Sequence, residues 1–172
     1  MMKRMITAVL AIVMMFTLTA CQGKNGAADV KNLEGTTSEL IEKVYETTKP
    51  EFGVMTQEVD LTDSEAVKYM TGLDNADKIS EVSVSEPMTG SQAYSLVMVR
   101  VKDAKDTKEV AEAMKAGINP AKWICVEADD IAVAGYGDVA MLIMVSSQFS
   151  DSITAAGVVD AFKTVCGGTL SF

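Results

Sequence analysis

The chain has 172 residues, 15 of them basic and 24 acidic, no histidine, and a net charge of −9. That length suits a single domain once any leader is removed, and the acidic excess repels phosphate backbones, so nucleic acid is not an expected partner. The missing histidine closes Ser-His-Asp and Cys-His catalysis and nearly every catalytic zinc site.

Residues 1–20 read as an export signal and not as fold. Lys3 and Arg4 make a charged start, and Met5 to Thr19 an apolar run that ends in small residues. It is shorter than the roughly 20 apolar residues that a membrane span requires. Leu18, Thr19, Ala20 and Cys21 resemble the lipobox of bacterial lipoproteins, which implies cleavage before Cys21 and a lipid on its thiol. Removing the twenty residues before Cys21 leaves 152 of the 172, and the loss of Lys3 and Arg4 takes the charge from −9 to −11. The protein is then expected outside the cytoplasm, anchored to the membrane through lipidated Cys21, at the cell surface in a Gram-positive-type envelope. Gln22 to Gly35 is small and polar without apolar periodicity, which reads as a flexible tether. The folded domain is expected over 36–172.

Thr36 and Glu39 form a capping box ahead of Leu40, Ile41, Val44 and Tyr45, which predicts a helix over Thr37–Thr48. Thr62 with Glu65 opens a second helix that Gly72 stops, while Phe52 to Asp60 is ambiguous. The alternation in Glu81–Glu86 predicts a strand with one wet face, ended by Pro87. Ala93–Val101 is apolar on both faces, with Val97, Val99 and Val101 on one side and Leu96 and Met98 on the other, so it reads as a central strand. Asp106 and Glu109 make a further capping pair for a helix that carries Val110, Ala113, Met114, Gly117 and Ile118 and that Pro120 bars from continuing. Lys122–Val126 reads as a return to the sheet. Ile131–Val145 is the most apolar stretch, a hairpin with its break at Gly135, Tyr136, Gly137 and Asp138. Ser150 or Ser152 is expected to cap a last helix with Ala156, Val159, Phe162 and Val165 on its apolar face and Gly167 and Gly168 at its end.

An offset of 46 lays Leu96–Val99 over Leu142–Val145, Asp106 over Ser152 and Val110 over Ala156. This weak echo fits either a duplicated ββα unit or two units that merely share an element order. The expected fold is α+β: an antiparallel sheet of four to five strands with two helices on one face, plus N-terminal helices. Leu96, Met98, Leu142 and Met144 would share the opposite face, covered by the N-terminal helix or by a partner.

Asn119, Pro120 and Lys122 to Val126, followed by Gly137, Asp138, Val139 and Leu142 to Met144, resemble a family of small lipoproteins from Clostridia and their relatives known only as a domain of unknown function. The likeness runs from Thr36 to Phe162 and implies location and fold, but no activity, ligand or residue role. Val139 and Ala140 stand where many members place an aromatic residue.

Three candidates for chemistry remain. Cys125 and Cys166 can form a disulfide outside the cytoplasm or stay free as small hydrophobes. Glu127, Asp129 and Asp130 precede the hairpin; paired carboxylates suit glycoside hydrolysis or calcium binding, and equally a solvated turn. Trp123, the sole tryptophan, suits stacking on sugars if exposed and core filling if buried. No phosphate-binding loop or four-cysteine metal site is present, and no cofactor or metal is expected. Two functions follow. The first is a non-catalytic module that binds a protein, peptide or polymer of the cell envelope; the second is a carboxylate-based hydrolase of cell-wall or external polymer.

Overall fold

The computed structural model describes residues 31–172; the expected export signal, Cys21 and the expected tether through residue 30 lie outside the described residues. Five strands form one antiparallel sheet in the order β1-β2-β3-β5-β4: β1 Val54–Glu58, β2 Ile79–Pro87, β3 Tyr94–Val101, β4 Asp130–Tyr136 and β5 Val139–Val145. Four α-helices cover it: α1 Thr37–Tyr45, α2 Ser64–Thr71, α3 Thr107–Gly117 and α4 Ala155–Val165. The fold is therefore α+β with an antiparallel sheet, and the ambiguous Phe52–Asp60 segment supplies its edge strand.

Strands β3 and β5 sit in the middle because every position along them, Arg100 apart, can be buried. All of β5 is buried, and Val97 of β3 lies opposite Leu142 while Leu96 lies opposite Ile143. This register corrects the expected partner face. Leu96 and Met98 point with Met141 and Ile143 into the core under α1 and α4, whereas Leu142 and Met144 point with Val97 and Val99 into the core under α2 and α3. None of the four is exposed at all. Each such side chain contributes about 1.5–3 kcal/mol by leaving water, so both faces are closed cores and neither is open to a partner.

Two helices do lie on one face, and indeed on each, but α3 and α4 are on opposite faces. With β3 and β5 antiparallel neighbours, a half-turn about the sheet normal superposes one hairpin on the other and would keep both helices on the same side. The two ββα stretches thus share an element order without being related by a rotation.

Local signals decide the helix ends. The Thr36–Glu39 capping box forms as expected, and α1 stops at Tyr45, whose hydroxyl meets that of Tyr94 at 3.1 Å. Asp63, not Thr62, caps α2 by accepting from the amides of Glu65 and Ala66, because the Thr62 hydroxyl is already given to Asp60. Asp106 makes no cap on α3; it and Glu109 instead flank the Lys78 ammonium at 3.6 and 2.6 Å. Thr154, not Ser150 or Ser152, caps α4. Asp130 also accepts from the Ala155 amide. That start turns Ala155, Val158, Ala161 and Phe162 inward, while Ala156 faces solvent and Val159 and Val165 are only partly covered.

The serine face of β2 is not wet. Ser83 and Ser85 lie beneath α1, fully buried, and Ser83 exchanges a 2.7 Å hydrogen bond with Thr37. At the β4–β5 turn, strand structure persists through Gly135 and Tyr136, so the turn is Gly137 and Asp138 alone. Gly137 has φ 56°, the positive value that a two-residue hairpin favours.

Candidate functional site

The segment from Asn119 to Asp129 organises one end of the sheet, and it is a closed loop and not the expected strand. The Pro120 carbonyl accepts from the Ala128 amide at 2.9 Å, which gives a compact loop fixed at its neck. Cys125 adopts φ 61°, a left-handed conformation that interrupts any strand through KWICV. Several contacts pin the loop to the rest of the domain: the Ile124 amide donates to the Gly90 carbonyl, the Tyr69 hydroxyl donates to the Lys122 carbonyl, and the Lys122 ammonium pairs with Glu86 at 2.5 Å and donates to the Ser95 hydroxyl at 3.4 Å. The Lys122 side chain is fully buried and lies against the rings of Tyr69 and Trp123. Burial lowers the Lys122 pKa, a shift that the carboxylate of Glu86 partly offsets. Loss of either partner would strand the other charge.

Between this loop and Ser146–Gln148, just after β5, lies an open cleft of about 520 Å³. Trp123, Cys125, Glu127 and Asp129 form one wall, and Ser146, Ser147 and Gln148 the other. Trp123 is half-buried: its body packs against the core cluster under α2 and α3, and it still lines the cleft. The side chain is thus neither wholly core nor wholly exposed.

The three carboxylates part company. Glu127 is exposed in the cleft wall. Asp129 also lines the cleft, but both its oxygens are engaged, by the Ser147 hydroxyl and amide at 2.6 Å each. These bonds, the hydroxyl first, hold its pKa below the usual carboxylate range. Asp130 lies outside the cleft and caps α4. Among the described residues no three Asp, Glu or Cys side chains converge as a metal site. A glycoside hydrolase needs one carboxyl kept protonated, and Asp129 is held on the ionised side.

Cys125 and Cys166 are free thiols. Cys166 is buried in the cluster under α1 and α4, where burial pushes its pKa up to about 12. Cys125 is exposed on the loop whose Trp123 and Val126 pack on the other face. The sheet separates the two, so the expected alternative of a disulfide is not realised.

The opposite end of the sheet holds the start of the domain. Arg100, near the end of β3, donates to Asp138 at 2.6 Å, to Glu81 at 3.3 Å, and to the carbonyls of Leu33 and Gly35 at 3.1 and 2.5 Å. Lys31 and Asn32 lie against Gly137, where a Cβ would come within 2.8 Å of the Lys31 carbonyl oxygen. The chain therefore joins the domain beside the β4–β5 turn. The cleft lies beyond the far end of β5, a strand roughly 20 Å long at about 3.3 Å per residue.

No helix among the described residues is long and apolar enough to cross a membrane. No protein-family model, curated protein or solved structure matches the chain. The sequence led to Trp123, Glu127 and Asp129 but not to Ser147, Gln148 or the Lys122–Glu86 pair. Glu86 carried a readable signal, since it falls in the apolar register of Val82 and Val84, where a carboxylate implies a buried cation.

Proposed function

We propose that this protein is a lipid-anchored, extracytoplasmic binding module, of the small clostridial-type lipoproteins it resembles, that presents its cleft to a glycan of the cell envelope. The carrying observation is the cleft itself: the Trp123 indole lines it together with the Glu127 carboxylate and the hydroxyl and amide groups of Ser147 and Gln148. A flat apolar surface ringed by a few fixed polar groups is the pattern that holds a sugar ring by stacking and by its hydroxyls. The lipobox-like Leu18–Cys21 supports the anchor. The clamp of Arg100 on Leu33 and Gly35 puts the entry of the chain at the end of the sheet away from the cleft, which supports a cleft that stays accessible when Cys21 is anchored.

Because Trp123 is the only tryptophan and lines the cleft, its selectively excited emission reports on events there. Titrating the full-length lipidated protein in detergent with soluble glycan-strand fragments of its own cell wall is expected to give a saturable emission change. Glu127→Gln with Gln148→Ala should weaken it. An unchanged spectrum at saturating fragment, with the fold intact by circular dichroism, would remove the glycan from this reading.

A further inference from the structure

Among the described residues the large apolar side chains left exposed are Met55 at 53%, Tyr69 at 51%, Met88 at 78% and Ile124 at 73%. They come from four separate segments, yet they gather at one corner. Met55 is the register partner of Glu86 on β2, and Met88 follows two residues later in the same strand direction. Tyr69 bonds to Lys122 and stacks on its ammonium. Ile124 is bonded to Gly90 in the turn that begins at Met88. The buried Lys122–Glu86 pair is thus collared by apolar surface. Scattered exposed hydrophobes need no explanation, but a gathered set marks a contact surface.

This collar adjoins an open sheet edge. The Val59 amide donates to the Val82 carbonyl at 3.0 Å, and with the β1–β2 register this makes Met55 and Gln57 the residues bonded to β2. Alternation then points the amides and carbonyls of Val54, Thr56 and Glu58 outward, and no backbone group among the described residues meets them. Pro87 stands opposite Val54, in a position that needs no amide hydrogen. The far end of the edge is acidic: Glu58, Asp60, Asp63 and Glu65 are all exposed within eight residues.

We infer that β1 is a docking edge for an extended peptide segment of a partner protein, added as a sixth strand. Only a polypeptide backbone supplies donors and acceptors at the spacing that Val54, Thr56 and Glu58 present. The collar selects apolar side chains at alternate positions near Val54, and the acidic end selects a lysine or arginine near Glu58. This inference rests on the fold and not on the anchor or the glycan cleft.

The test is selection of a phage-displayed random octapeptide library against the full-length protein in detergent, followed by fluorescence anisotropy of the enriched peptides. Enriched sequences should alternate apolar and polar residues and carry a basic residue at one end. Thr56→Pro removes an outward amide without touching the β1–β2 ladder. It should weaken binding about tenfold, the effect of losing one or two backbone bonds. Met88→Ser with Ile124→Ser alters only exposed side chains and should weaken binding while leaving thermal unfolding unchanged. No enrichment, enriched peptides without alternation, or binding indifferent to both variants would overturn the inference. So would a concentration-dependent dimer in analytical ultracentrifugation that Thr56→Pro abolishes, since the edge would then belong to a second copy.

Discussion

Replacing Arg100 with methionine should cost about 3–5 kcal/mol, because it removes one member of a buried charge cluster and strands the other. The Arg100 side chain is 16% exposed and that of Asp138 only 10%. One Asp138 oxygen, Oδ1, has no hydrogen-bond partner, so its carboxylate depends on the 2.6 Å bond to the guanidinium. Glu81, at 26% exposure, keeps its bond from the Thr37 amide and adds little. The same change frees the carbonyls of Leu33 and Gly35. Against a total stability of about 5–15 kcal/mol for an ordinary domain, the loss is large. Urea unfolding followed by circular dichroism and Trp123 emission would measure it, and trypsin cleavage at Lys31 should quicken. Adding Asp138→Asn should restore most of the stability while cleavage at Lys31 stays fast. A single-variant loss under about 1 kcal/mol, the range of an exposed ion pair, would mean that Arg100 and Asp138 are solvated and not a buried pair.

Leu96→Ala and Leu142→Ala, on opposite faces, should each cost about 2–5 kcal/mol; a loss under about 1 kcal/mol for either would mean that its face is open. In thiol labelling of protein extracted from membranes near pH 8, Cys125 should react quickly and Cys166 only on unfolding, its pKa being raised to about 12. A second fast thiol would place Cys21 unmodified and contradict the anchor. Burial raises the phenols of Tyr45 and Tyr94 above their ordinary value, most strongly Tyr94, which also faces the Tyr45 charge. The stability they contribute is therefore whole below the unfolded phenol pKa of about 10 and is lost as pH climbs through their folded values. In an ultraviolet titration these two should ionise late and together with alkaline unfolding, and Tyr94→Phe should lengthen that lag for Tyr45, because it removes a hydrogen bond that favours the Tyr45 phenolate.

The sequence was most legible where a local rule acts alone. The Thr36–Glu39 box placed α1, Gly72 closed α2, and the continuous apolar runs placed β3 and β5 at the centre. It was silent on faces for the same reason: a strand that is apolar at every position carries no alternation to say which side is which. Only the pairing of Leu96 with Ile143 decides that, and pairing is a long-range property. Ser83 and Ser85 misled because polar residues usually mark a wet face, whereas here Thr37 reaches down to bond one of them. KWICV failed as a strand because Lys122 finds its partner thirty-six positions back at Glu86, and that bond folds the segment into a loop. Arg100 and Glu86, charges set in apolar registers, were the readable hints of the clamp on Leu33 and Gly35 and of the cleft's support. Ser147 and Gln148 offered no such hint, since their role depends on where β5 ends relative to Asp129.

The most direct measurement of the account is photo-crosslinking from two positions of the lipidated protein in its native envelope. One copy carries a benzoylphenylalanine in place of Gln148, in the cleft wall; the other carries it in place of Lys102, exposed just past the far end of β3. Glycan-bearing adducts released by wall hydrolases are expected from position 148 and not from 102. Equal yields from both positions, or none from the cleft, would contradict a binding module that faces its cleft away from the membrane.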